Sequence, residues 1–175
     1  MKTPESPFNE AVRILALKRT HLLDTPREER FDRFTRMAKL AFGVPIALVS
    51  LVDNKRQWFK SSQGLDARET PRDMSFCGHA ILIDRLFIVE NTLEDPRFAD
   101  NPLVTGPPHI RFYAGAQLRS HEGYNLGTLC IIDTRPRSLD HDQCALLEEL
   151  ARCVDEEIND FEANKSRQEQ IEKTR

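Results

Sequence analysis

Residues 45–53, PIALVSLVD, would be apolar on both faces if extended. Alternation puts Ile46, Leu48 and Val52 on one side and Ala47, Val49 and Leu51 on the other. A strand of this kind needs cover on both faces, so it belongs in the middle of a sheet lying between two other layers. The residues after it narrow the sheet further. Asp53 and Asn54 are turn formers, and RQWFKSSQG (56–64) reads as the returning arm of a hairpin. LFIVEN (86–91) is a short strand, and IRFYAGAQLRS (110–120) with YNLGTLCIID (124–133) makes a second hairpin across HEG. Hairpin links imply antiparallel pairing.

Helices are expected at both ends. Ser6 and Pro7 open one that runs to about Leu22. DTPREE then restarts the chain, with Thr25 as N-cap, Pro26 at the first helical position and Glu28 completing a capping box. Phe31, Phe34, Ala38 and Ala41 follow at helical spacing, and Gly43 and Pro45 end the run. From Asp140 to about Arg167 a long helix places Leu147, Leu150, Val154, Ile158 and Phe161 on one stripe, after which it turns polar. The pattern is α+β: an antiparallel sheet of about five to six strands, terminal helices on one face, and irregular chain on the other. That cover comes from Gly64–Pro108, which is rich in turn chemistry and long enough to suggest a functional role. The divisions are an N-terminal helix (1–22), the main domain (23–160) and a polar helix or linker (161–175).

The 175 residues suffice for one self-sufficient core. A net charge of −3 argues against an electrostatic nucleic-acid binder. No run of 18 apolar residues could insert in a membrane, and MKTPESPFNE has no signal-peptide character, so a cytoplasmic location is expected. The four cysteines, Cys77, Cys130, Cys144 and Cys153, form no C-x-x-C pair and read as reduced thiols.

SFCGHAI (75–81) holds the densest chemistry. Ser75 is a good N-cap, which puts Cys77 in a first helical turn where the dipole favours a thiolate. As a nucleophile and base, however, Cys77 and His79 are spaced i, i+2, about 200° apart on a helix, and do not face each other. A metal would need more ligands than Cys77, His79 and His109 at this spacing. The remaining reading is a non-catalytic pocket with no cofactor or metal. Trp58 would form an apolar wall, His79 a hydrogen-bonding edge, and Gly78 a point of close backbone approach. Alternation in the strand 110–120 puts Tyr113, Gly115 and Gln117 on the cavity side and Phe112, Ala114, Ala116 and Leu118 under the helices. In DPRFADNP, Arg97 is expected to turn outward onto Asp95 or Asp100.

The stretches LLDTPREERFDRFTRMAKLAFGVPIALVSLVD, RQWFKSSQGL, ETPRDMSFCGHAI, DPRFADNPLVTGPPHIRFYAGAQL and LGTLCIID together resemble the GAF domain, a small-molecule sensor module related in fold to PAS domains. They are similar to a bacterial subgroup found ahead of GGDEF diguanylate cyclase, histidine kinase or cyclic di-GMP phosphodiesterase domains. The resemblance implies a non-enzymatic sensor that binds a small molecule through Trp58, Cys77, His79, Phe98, Tyr113 and Gln117. It implies a homodimer through the terminal helices, with Leu147, Leu150, Val154, Ile158 and Phe161 at the interface, and a C-terminal output domain. One enzyme shares the fold, free methionine-R-sulfoxide reductase, and Cys77 stands in a similar C-G context. The strand 110–118 lacks a cysteine where that family would place a partner. Bilin attachment in GAF relatives wants cysteine followed directly by histidine, and Gly78 intervenes. The cyclic-nucleotide signature is met only by Asn91, Phe98 and Asp100, without its lysine.

Overall fold

The computed structural model describes residues 1–175, with the side chains of 161–163 outside the description. Helices α1 (Glu10–Arg19) and α2 (Glu29–Phe42) precede strands β1 (Ile46–Val52), β2 (Arg56–Gln63) and β3 (Glu69–Pro71). Then come α3 (Phe76–Ala80), β4 (Phe87–Val89), α4 (Pro102–Thr105), β5 (Phe112–Arg119), β6 (Asn125–Asp133) and α5 (His141–Lys173). The strands form one antiparallel sheet in the order β3-β2-β1-β6-β5-β4. All seven residues of β1 are buried, as its two apolar faces require.

The two faces are covered by different kinds of chain. On one, Ala47, Val49 and Leu51 of β1 and Phe112, Ala114, Ala116 and Leu118 of β5 meet Phe31, Phe34 and Ala38 of α2 and the apolar stripe of α5. On the other, Ile46, Leu48, Val52, Tyr113 and Cys130 meet Phe76, Ala80, Phe98 and Val104 from the irregular segment after β2. Pairing of Cys130 with Leu48 and with Gly115 sets those three in a row across this second face.

Several local expectations are corrected. Helix α1 begins at Glu10, not near Pro7; the preceding chain lies over α3, where Lys2 O is 3.0 Å from His79 Nε2, and Lys2 N–H donates to Arg97 O at 3.1 Å. Helix α2 begins at Glu29, and the Thr25–Glu28 capping box does not form. Thr25 Oγ1 instead donates to Leu22 O (2.5 Å) and accepts from Lys60 Nζ (2.7 Å). Glu28 pairs with Lys60 and Arg30. Phe42, rather than exposed Ala41, completes the buried stripe of α2. Strand β3 was not legible as a strand, being a three-residue edge. At the far end, Asp140 and Gln143 form a reciprocal capping box, and α5 runs to Lys173, past the expected Arg167.

The α5 stripe is also reassigned. Leu147, Leu150, Val154 and Ile158 are buried against this chain's own sheet and α2, so they offer no surface to a second copy. The Phe161 side chain lies outside the described residues.

Candidate functional site

On the face opposite the long helices, a cavity of 240 Å³ lies between the sheet and the irregular chain. The sheet supplies Ile46, Leu48, Gln57, Phe59, Tyr113, Cys130 and Ile132, and α3 supplies Phe76 and Cys77. Leu65, Ala67, Thr70, Leu103, Pro107, Pro108 and Ile110 complete the wall.

Cys77 reaches the cavity because Ser75 caps α3. The Ser75 hydroxyl accepts from Gly78 N–H at 3.0 Å, which holds the short helix against β5 and β6. Gly78 is needed less for backbone approach than for the Ser75 hydroxyl and the Pro4 ring, whose Oγ and Cγ would lie 2.6 and 2.7 Å from an added Cβ. The Cys77 sulfur sits in a buried triangle, 3.2 Å from Tyr113 Oη and 3.1 Å from Thr128 Oγ1, which are themselves 3.2 Å apart. Burial opposes a charge on Cys77, but hydrogen bonds, from Cys130, Thr128 and Tyr113 among others, outweigh it and bring the thiol down to about 6. Burial, and the hydrogen bond and charge of Cys77, push Cys130 up. Within the pair Cys130 keeps its proton. Beside this group, Ser50 Oγ donates to Gln57 Oε1 (3.2 Å) and Gln57 Nε2 donates to Thr70 Oγ1 (2.6 Å).

Of the six expected ligand residues, the structure brings Cys77 and Tyr113 to the cavity and leaves four elsewhere. Trp58 lies in the helix-side core. A bulge in β2, where Val49 pairs with Ser61 but Ser50 pairs with Phe59, leaves Lys60 without a partner in β1. Trp58 lies on the turn side of that bulge, in regular register with helix-facing Leu51, so Phe59 takes the wall position assigned to Trp58. His79 points away from Cys77, as its spacing implied, and shares a 3.0 Å hydrogen bond with Lys2 O beside the rings of Phe87 and Phe98. Phe98 stands behind the wall, stacked on Phe76 at 4.2 Å. Gln117 hydrogen-bonds the carbonyls of Ala80 and Arg85. Arg97 turns outward onto Asp95, at 2.7 Å, as expected. Gln57, Cys130, Leu48 and Ile132 were missed, although strand parity places Leu48 beside the cavity.

Burial lowers the pKa of His79, reinforced by the Arg97 and Lys2 charges and opposed by its bond to Lys2 O and by Asp95. A depressed histidine adds stability above its ordinary value of 6.5, lost as pH falls below it. Thermal midpoints measured at pH 7 and pH 5 should therefore drop more for the wild type than for His79→Gln. Equal drops would contradict this assignment.

An antiparallel sheet with helices on one face and an apolar cavity under irregular chain on the other is the architecture of a signalling sensor module. The chain belongs to the GAF domain family, whose model matches residues 26–155. It is 48% identical over 155 residues to cyclic di-GMP phosphodiesterase PA2567 of Pseudomonas aeruginosa, covering 88% of this chain and 26% of that protein. The chain thus spans about a quarter of that relative. Among solved structures it resembles a domain of a two-component sensor histidine kinase protein from Sinorhizobium meliloti 1021 (TM-score 0.65, 19% identity, 81% of this chain and 97% of that one). It also resembles the GAF domain of Acinetobacter phosphoenolpyruvate-protein phosphotransferase (0.61, 17%, 84% and 92%). A third likeness is type II free methionine-R-sulfoxide reductase from Thermoplasma acidophilum (0.62, 12%, 75% and 92%). At these identities the structures establish the fold alone. Among the described residues no helix is long and apolar enough to cross a membrane.

Proposed function

We propose that the chain is a non-catalytic sensor module that binds a small molecule in the 240 Å³ cavity and reports occupancy through α5 to an output domain. The carrying observation is the cavity itself, floored by the central strands and roofed by α3, α4 and the loops beside them. Strands β5 and β6 bear the cavity on one face and α5 on the other, so a shift of the sheet reaches both. The 48% identity to a cyclic di-GMP phosphodiesterase makes a domain of cyclic di-GMP turnover the favoured output. A homodimer, if formed, would use surfaces other than the buried α5 stripe.

One observation favours a second, enzymatic reading: Cys77 and Cys130 line the same cavity, so a nucleophilic thiol and a resolving thiol are both at hand. Against it, free methionine sulfoxide is a zwitterion, and among the described residues no Lys, Arg or His side chain lines the cavity to hold its carboxylate.

The test places Leu103→Trp, a half-buried rim position, in the chain joined to its output domain. Filling the cavity should change the output rate several-fold while the isolated chain stays folded. An unchanged rate would count against the sensor reading. Reduction of free methionine sulfoxide by the isolated chain, abolished in Cys77→Ser, would establish the enzyme instead.

A further inference from the structure

We infer that the cavity selects an uncharged, mainly apolar molecule of one or two rings that carries a single hydrogen-bond acceptor; this rests on the sensor reading above. Among the described residues no Lys, Arg, His, Asp or Glu side chain lines the wall. Arg97 and Arg72 are committed to Asp95 and Glu10. A nucleotide or a carboxylate would leave its hydration shell and meet no counter-charge.

Hydrogen-bond bookkeeping fixes the polar end. Under α3, the Cys77 sulfur already has Tyr113 and Thr128 as partners, which also bond each other. The Gln57–Thr70 pair is not closed. Gln57 receives Ser50 on its carbonyl oxygen and gives one N–H to Thr70 Oγ1, which acts there as acceptor. The second amide N–H of Gln57 and the Thr70 hydroxyl hydrogen have no acceptor among the described residues. Both belong to the cavity wall. This end therefore offers donors and favours a ligand carbonyl, ether or hydroxyl oxygen. The rest of the wall, Leu48, Phe59, Ile110 and Ile132 among it, suits a hydrocarbon body.

Size agrees. An apolar cavity of roughly 150 Å³ admits a benzene ring, and this one measures 240 Å³. A ring with a short polar substituent fits, and a cyclic dinucleotide or linear tetrapyrrole does not.

The test uses three probes of similar size and different charge: acetophenone, benzoate and ethylbenzene. Binding to the wild-type chain is followed by ligand-observed NMR and thermal shift, with Leu103→Trp as the filled control and Thr70→Val as the polar variant. Acetophenone should bind, benzoate should bind at least about tenfold more weakly, and Leu103→Trp should remove binding. Thr70→Val should weaken acetophenone by roughly threefold to tenfold while leaving ethylbenzene unchanged. Benzoate binding as well as acetophenone would overturn the neutral class and leave the cavity as a ligand site. Equal loss of both neutral probes in Thr70→Val would overturn the acceptor end. Failure of all three probes, or binding that persists in Leu103→Trp, would overturn the cavity as the site and the sensor reading with it.

Discussion

Chemical unfolding of Glu10→Ala should give a loss of about 3–5 kcal/mol, the cost of removing one partner from a buried ionic cluster. Glu10 is the anion between two buried cations far apart in sequence. Arg13 Nε and Nη2 reach it at 2.9 and 3.0 Å, and Arg72 Nη1 and Nη2 at 2.5 and 3.3 Å. Arg13 is 1% exposed and Arg72 is 6% exposed. Without the carboxylate they face each other with only the carbonyls of Asn125, Asp53 and Asn54 as acceptors. Arg72 also lies in the turn that leads into Ser75 and Cys77, so the cluster ties α1 to the cavity wall. The loss should therefore appear as faster amide exchange across residues 10–19 as well as a lower unfolding midpoint. Adding Arg72→Met should restore much of it, since the unpaired charge rather than the missing contact carries the cost. A loss below about 1 kcal/mol, typical of an exposed pair, would refute the assignment.

The same cluster sets an acid limit. Burial alone would raise the Glu10 pKa, but the hydrogen bonds and charges of Arg13 and Arg72 overcome it and hold the carboxyl at about 2, below its ordinary 4.5. A depressed carboxyl contributes stability above its unfolded value and loses it as pH falls through the folded one. The wild type should thus lose this increment between about pH 4.5 and pH 2, and Glu10→Ala should show no matching loss.

Strand parity was the most legible property of the chain. In β1 and β5 the alternation sorted the side chains facing the helices from those facing the cavity, because a two-residue period leaves little room for a different answer. In β2 parity holds from Gln57 to Phe59, and the bulge at Lys60 shifts it by one residue from Ser61 onward. Nothing local marks that bulge. Its support is tertiary: Lys60, fully buried, is held by Thr25 Oγ1, Pro26 O and Glu28. Those bonds also explain why a good capping box at Thr25 and Glu28 stayed unformed. Both side chains have stronger partners across space than along the chain. The long-helix stripe shows the limit in another form. Periodicity identified the buried face of α5 but could not say whether it was buried by this chain or by another copy.

Gly127→Ala should be the most damaging single methyl in the sheet, lowering stability by about 3 kcal/mol or more. Gly127 pairs with Leu51 of β1 and Leu118 of β5, so it lies inside the sheet with a strand on either side. An added Cβ would stand 1.9 Å from Ser50 O and 2.8 Å from Ser50 C, both backbone atoms of β1. A side chain could rotate away, but a paired strand can yield only by opening its ladder. Gly43→Ala supplies the contrast. Gly43 ends α2 at φ +61°, and an added Cβ would have nothing within 4 Å, so its cost is the left-handed backbone alone, about 1–2 kcal/mol. The two substitutions therefore separate crowding from conformational strain in one protein. They differ functionally as well. Displacing β6 at Gly127 moves the adjacent Thr128, whose hydroxyl closes the triangle with Cys77 and Tyr113, whereas Gly43 touches no part of the cavity. Paired urea titrations with an acetophenone binding measurement should find Gly127→Ala impaired in both stability and affinity and Gly43→Ala impaired in stability alone. Equal stability losses would show that the β1–β6 pair absorbs the methyl. Retained affinity in a folded Gly127→Ala chain would uncouple the sheet from the cavity.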